Sequence, residues 1–228
     1  MNDLKQIQNL IITSKIWNLT FLSIGLLGIY FSIILLGFNK NKNQKELFLG
    51  LYSFTISILL IYFTSLVYPF EHIYVVLEYT SSGLIYLAGP FSYLIYYRRY
   101  INHNNYIYLI HIIPAIAVFL FSWIFQIELF WLNIGGILHI GGYLFFQSIL
   151  VFNTDKVLVS DFIENAKISN RWSKNITKLQ IILHIVICVI CITANTIDIY
   201  FCISILLSIL ILAIWIGLLH SAHYTYLK

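Results

Sequence analysis

Seven stretches of this chain, near 16–37, 47–69, 78–97, 105–125, 128–153, 176–194 and 199–219, are long and apolar enough to read as membrane-crossing helices. A helix needs about 20 mostly apolar residues to cross the hydrocarbon core of a bilayer. The breaks between the stretches are polar or turn-like: Asn39 to Asn43, Pro69 to His72, Arg98 to Asn105, Gln126 to Glu128, Thr154 to Asn175, and Ala194 to Thr196. Composition argues the same way. Hydrophobic residues make up 60% and charged ones 10% of the 228 residues, so a water-soluble fold would have too few charges to cover its surface. The expected fold is an all-α integral membrane protein of seven transmembrane helices.

Basic residues in short loops set orientation. With seven spans, the first, third and fifth loops share a face with the C-terminus. That face holds Lys40, Lys42, Lys45, Arg98, Arg99, Lys156, Lys167, Arg171, Lys174, Lys178 and Lys228 against four acids, a net of +7. The other face holds Lys5 and Lys15 against five acids, a net of −3. The N-terminus is therefore expected outside and the C-terminus inside. Trp17, Trp123 and Trp131 fall at expected outer helix ends, and Tyr96, Tyr97, Tyr100 and Tyr106 at inner ends, where amphipathic rings settle. Residues 1–15 carry Leu4, Ile7, Leu10 and Ile11 at helical spacing, which predicts an amphipathic segment on the outer surface. The bundle is expected over 16–220 and a short cytoplasmic tail over 221–228. The first apolar run exceeds the 7–15 residues of a signal-peptide core and reads as a retained helix.

No Asp, Glu, Lys or Arg falls in the central part of any span. That excludes a retinal-type Schiff base on the last helix, and proton relays or aspartyl proteolysis built on buried carboxylates. Three histidines remain at depth. At 1.5 Å per residue, His111 lies about 9 Å, His139 about 16 Å and His184 about 12 Å in from the nearer ends of their spans. Imidazole is the commonest metal ligand, but these three lack a carboxylate to orient them and lack i, i+4 pairing. No metal and no other cofactor is expected. Cys188, Cys191 and Cys202 lie in apolar runs and read as small packing residues. The Asn18-Leu-Thr20 and Asn175-Ile-Thr177 acceptor patterns fall at the membrane border and on the inner face, where glycosylation is not expected. The glycine pairs Gly135-Gly136 and Gly141-Gly142, on either side of His139, read as close-packing positions.

The third and fourth spans are more specific. Pro90 removes a helix hydrogen bond and frees the carbonyl of Tyr86, while Gly89 lets a neighbour approach. Pro90 lies about 10 Å from the inner end of its span, near the depth of His111, which predicts that the two lie close together. The run Gly89-Pro90 with Tyr93 and then Arg98, followed by His111 and Pro114 in the next helix, resembles the N-terminal membrane region of bacterial membrane-anchored AraC-type transcriptional regulators. The resemblance implies a seven-helix sensor of the bacterial inner membrane, without catalytic activity. It also implies an output domain of helix-turn-helix type after the last span. This chain ends at Lys228, so that output is expected beyond residue 228 or on a cytoplasmic DNA-binding partner, and the chain itself is not expected to bind nucleic acid. The ligand and hinge candidates are Gly89, Pro90, Tyr93, His111, Pro114, His139 and His184. The expected partners are the lipid bilayer, a small ligand and a second copy in a homodimer. Two rival readings are a small carrier or channel, with a thin polar path through Asn133, Gln147, Ser148, Ser81 and Ser82, and a lipid-modifying enzyme using the histidines.

Overall fold

The structure is a computed structural model that describes residues 2–37, 44–67, 71–100, 110–125, 129–153, 163–193 and 196–226. It describes side chains over 15–37, 47–66, 77–97, 110–124, 132–153, 171–193 and 199–217. The polar breaks at 38–43, 101–109 and 154–162, with Tyr106 among them, lie outside the described residues. Seven helices are described: α1 (Asn2–Gly37), α2 (Gln44–Val67), α3 (Glu71–Tyr100), α4 (Ile113–Phe125), α5 (Leu129–Asn153), α6 (Ile163–Thr193) and α7 (Thr196–Tyr226). α1 is continuous from Asn2. Residues 2–14 thus belong to the same helix as the first apolar run, which begins at Lys15.

Five of these helices are long and apolar enough to cross a membrane, over 15–37, 47–66, 132–153, 171–193 and 199–217. Among the described residues the other two fall short for different reasons. α4 has 13 residues, about 20 Å of helix. α3 has 30 residues, but its apolar run is diluted by Ser81, Ser82, Gly83, Gly89, Pro90, Ser92 and several tyrosines. α3 tolerates that dilution because it packs against α2, α4 and α5 and presents little surface to lipid.

The helices α2, α3, α5, α6 and α7 close a ring, each touching the next, with α7 returning to α2. α1 packs outside the ring on α2 and α7, and α4 packs outside on α3. The distribution of side chains differs from that of a soluble bundle. Ser32, Ser53, Ser57, Ser92, Gln147, Thr177 and Ser204 are buried, while Leu26, Leu138 (70% exposed), Ile192 (84%) and Ile216 face outward. In water such a surface would drive association. Against lipid tails it costs nothing, and the protein is membrane-embedded.

Between two apolar phases the hydrophobic effect does not bring helices together, so close contact depends on small residues and buried hydrogen bonds. Gly89 of α3 lies against the backbone of Ile140 and the ring of Tyr143 on α5, and a Cβ there would stand 3.1–3.2 Å from them. A Cβ on Gly136 would run into the side chain of Ile85. These glycines are what allow α3 and α5 to touch along their length.

Candidate functional site

Two features stand out, one inside the ring and one on its flank. The inner feature begins with two glutamines on neighbouring helices. Gln147 of α5 and Gln180 of α6 are buried, and an amide in that position must find partners among side chains, since the helix backbones are already paired. Ser92 Oγ donates to Gln147 Oε1 at 2.7 Å, Gln147 Nε2 donates to Gln180 Oε1 at 2.6 Å, and Gln180 Nε2 donates back to Ser92 Oγ at 2.9 Å. The three groups form a closed cycle. The remaining amide hydrogens go to Thr177 Oγ1 at 3.0 Å and to the Tyr52 hydroxyl at 2.8 Å. Both hydrogens of each amide are used, and α2, α3, α5 and α6 are tied at one level. Beside this network lies a cavity of about 80 Å³, bounded by all five ring helices, with Tyr52, Ser92 and Gln180 on its polar side and Ile56, Leu183 and Leu207 among its apolar walls.

The flank feature is a cluster of rings between α3, the entry to α4, and α5. His111 Nδ1 lies 2.8 Å from the Tyr143 hydroxyl, with the tautomer deciding which of the two donates. Tyr93 stands 5.7 Å from His111 and 5.8 Å from Tyr143 between ring centres. His139 stands 4.9 Å from Tyr143 and 5.0 Å from Tyr86. Spacings of 4.5–7 Å in tilted or edge-on arrangements are those that aromatic pairs favour. A groove of about 460 Å³ opens along Tyr93, His111, His139, Gly142, Tyr143 and Phe146.

The sequence candidates thus divide. Gly89, Tyr93, His111 and His139 converge on Tyr143. Pro90 is fully buried within α3, one turn from Tyr93. His111 sits in a turn of 3₁₀ helix at 110–112, ahead of α4, and spends Nδ1 on Tyr143 on the neighbouring α5. Pro114 is the second residue of α4, a first-turn position where the missing N–H costs no bond. His184 is apart from the others: it lines the central cavity, its ring meets Gly141, and its Nε2 lies 3.8 Å from Cys188 Sγ. Among the described residues no group of three His, Cys, Asp or Glu side chains converges as a metal site would require. The three cysteines are free thiols. Thr177 of the second glycosylation pattern is buried in the amide network.

Sequence reasoning overlooked Gln180, Tyr52 and Tyr143. A search of the spans restricted to ionisable groups passes over amides, yet a glutamine in an apolar run carries nearly the same demand for partners.

No family model, no curated protein and no solved structure matches the chain.

Proposed function

We propose that the chain is a non-catalytic sensor module of the bacterial inner membrane. It crosses the membrane seven times, with the N-terminus outside and the C-terminus inside, and passes a change in helix packing to a cytoplasmic output domain or partner. The observation that carries this reading is the closed amide cycle on the inner half of α3, two residues beyond Pro90. Proline removes one hydrogen bond from a helix and lets it bend there, and a network with every hydrogen bond satisfied holds one arrangement. A ligand that occupies the central cavity in only one arrangement shifts the balance by its differential affinity. The pattern of Gly89, Pro90, Tyr93, Arg98, His111 and Pro114 supports an output of transcriptional-regulator type.

The carrier reading loses most of its path. Ser81, Ser82 and Ser148 bond to carbonyls three residues back on their own helices, as Thr55, Ser57 and Thr64 do four residues back. Gln147 is consumed by the cycle. Hydroxyls committed in this way have no hydrogen left to donate to a passing solute, though their oxygens still accept.

Two measurements test the proposal. In a variant lacking its native cysteines, single cysteines at Asp3 and Glu71 are expected to react with a membrane-impermeant maleimide on intact cells, and cysteines at Lys42 and Lys167 only after lysis. Reaction at Lys167 in intact cells refutes the orientation. With a reporter fused after Lys228, Pro90→Ala restores the hydrogen bond to the Tyr86 carbonyl and is expected to hold the output at one level under conditions that change the parent's. A variant that responds like the parent removes the hinge.

A further inference from the structure

The flank groove differs from the central cavity in size, in access and in the kind of polar atom it offers. Its volume of about 460 Å³ lies within the range of sites for drug-sized molecules. It opens sideways, since Gly142 and Phe146 on its rim are exposed on a helix long and apolar enough to face lipid. A ligand therefore enters from the bilayer. Every polar side chain lining it is carried on a ring: the hydroxyls of Tyr93 and Tyr143 and the imidazoles of His111 and His139. None of the described lining residues is acidic, lysine or arginine.

We propose that this groove binds the ring headgroup of an uncharged membrane lipid of the quinone class. Three observations select that chemistry. The first is depth: along α5, Tyr143 lies about 15 Å and His139 about 21 Å from the end of the helix at Asn153, below the level of a phospholipid headgroup. The second is charge, because a phosphate or carboxylate brought to that depth needs a cation and the described residues of the groove supply none. The third is shape. Polar atoms set among aromatic edges and faces suit a flat conjugated ring whose own acceptors lie at its rim, and a quinone carries two such carbonyls. A neutral imidazole or phenol carries one donor hydrogen; His111 and Tyr143 spend one of their two on each other and keep one for a carbonyl. Nδ1 of His139 is buried and has no hydrogen-bond partner among the described residues.

Gly142 makes the site testable. A Cβ at Gly142 meets nothing within 4 Å, whereas one at its neighbour Gly141 meets the His184 ring at 2.8 Å. Packing does not require glycine at 142, and a larger side chain there fills the groove without moving a helix. This assignment concerns the flank groove and not the central cavity on which the sensor reading turns, and it is measured apart from that reading, since binding is read directly and signalling is not.

The experiment uses the full chain in nanodiscs of phosphatidylethanolamine and phosphatidylglycerol, with a tritium-labelled dimethoxy-methyl-benzoquinone bearing a decyl chain as probe. Partition into empty nanodiscs is subtracted. Saturable binding of one probe per chain is expected, with decanol and decanoate competing at least tenfold less well. Gly142→Leu is expected to weaken binding at least tenfold. Tyr143→Phe, which removes a hydroxyl and keeps the ring, is expected to weaken it about three- to tenfold, the size of one hydrogen bond inside a membrane protein. Gly37→Leu is the matched control, because a Cβ there also meets nothing within 4 Å and Gly37 ends α1, away from the groove. It is expected to bind like the parent. Absence of saturable binding overturns the proposal, as does equal competition by decanol or decanoate. Parent-like affinity in Gly142→Leu, with the Gly37→Leu protein equally folded, overturns it as well.

Discussion

Gln147→Leu is expected to destabilise the folded bundle by about 2–4 kcal/mol. The estimate follows from what the substitution strands. Gln147 accepts from Ser92 and donates to Thr177 and Gln180, so three buried groups lose a partner at once. A hydrogen bond inside a membrane bundle contributes about 0.6 kcal/mol on average and about 1.7 at most, so three together come to about 2–5 kcal/mol. Ser92, which loses an acceptor, can turn its hydroxyl back to a carbonyl of its own helix, which keeps the total toward the lower end. Reversible unfolding in mixed micelles, followed by circular dichroism, measures the loss. The double variant Gln147→Leu, Gln180→Leu is the sharper result. Once both amides are gone the second substitution strands little more, so the pair is expected to fall short of the sum of the singles by more than 1 kcal/mol. A loss under 0.5 kcal/mol in the single variant, or strict additivity in the pair, means that the cycle does not form.

Gly136→Leu is expected to cost at least as much, through the opposite error. A Cβ at this position already collides with Ile85, and Tyr86 stands 3.2 Å away; a leucine would drive α5 off α3. Overpacking of this kind costs about 1–3 kcal/mol where a side chain gives way, and more where a backbone must move. Because the collision is with one side chain, it is correctable. Ile85→Ala in the same protein is expected to restore at least half of the lost stability, although Ile85→Ala alone destabilises by opening a void. Thermal unfolding of the four proteins in one detergent decides the matter. If Ile85→Ala makes the Gly136→Leu protein worse, the contact between α3 and α5 is not the one described.

The effect of a side chain on this molecule follows from what lies across from it. Gly136, Gly141 and Gly142 stand within six residues on one helix, yet a Cβ would strike Ile85 at the first, the His184 ring at the second and open space at the third. The three histidines show the same divergence. By depth alone they form one layer, but His111 and His139 join on Tyr143 at the flank, while His184 turns to the central cavity on the other side of α5.

The sequence by itself determined the phase in which this chain folds and the helical character of its spans. Runs of about twenty apolar residues broken by polar turns leave few alternatives, and five of the seven helices carry that signal in full. It also marked α3 as exceptional through Gly89 and Pro90, and those residues lie in its enclosed half. Only the tertiary structure decided that α3 stands between α2, α4 and α5, that Ser92 closes a cycle with two glutamines 55 and 88 residues away, and that Tyr143 receives His111. The reason is physical. In water, the apolar stripe of a helix announces which face is buried, because the opposite face must be polar. In a bilayer, lipid tails and protein interior are equally apolar, so α1, α5 and α7 carry leucine and isoleucine on both inner and outer faces and their pattern does not say which neighbour they meet. Pairing is chosen by small residues and by isolated amides and hydroxyls, whose partners lie on other helices, many residues away in the chain.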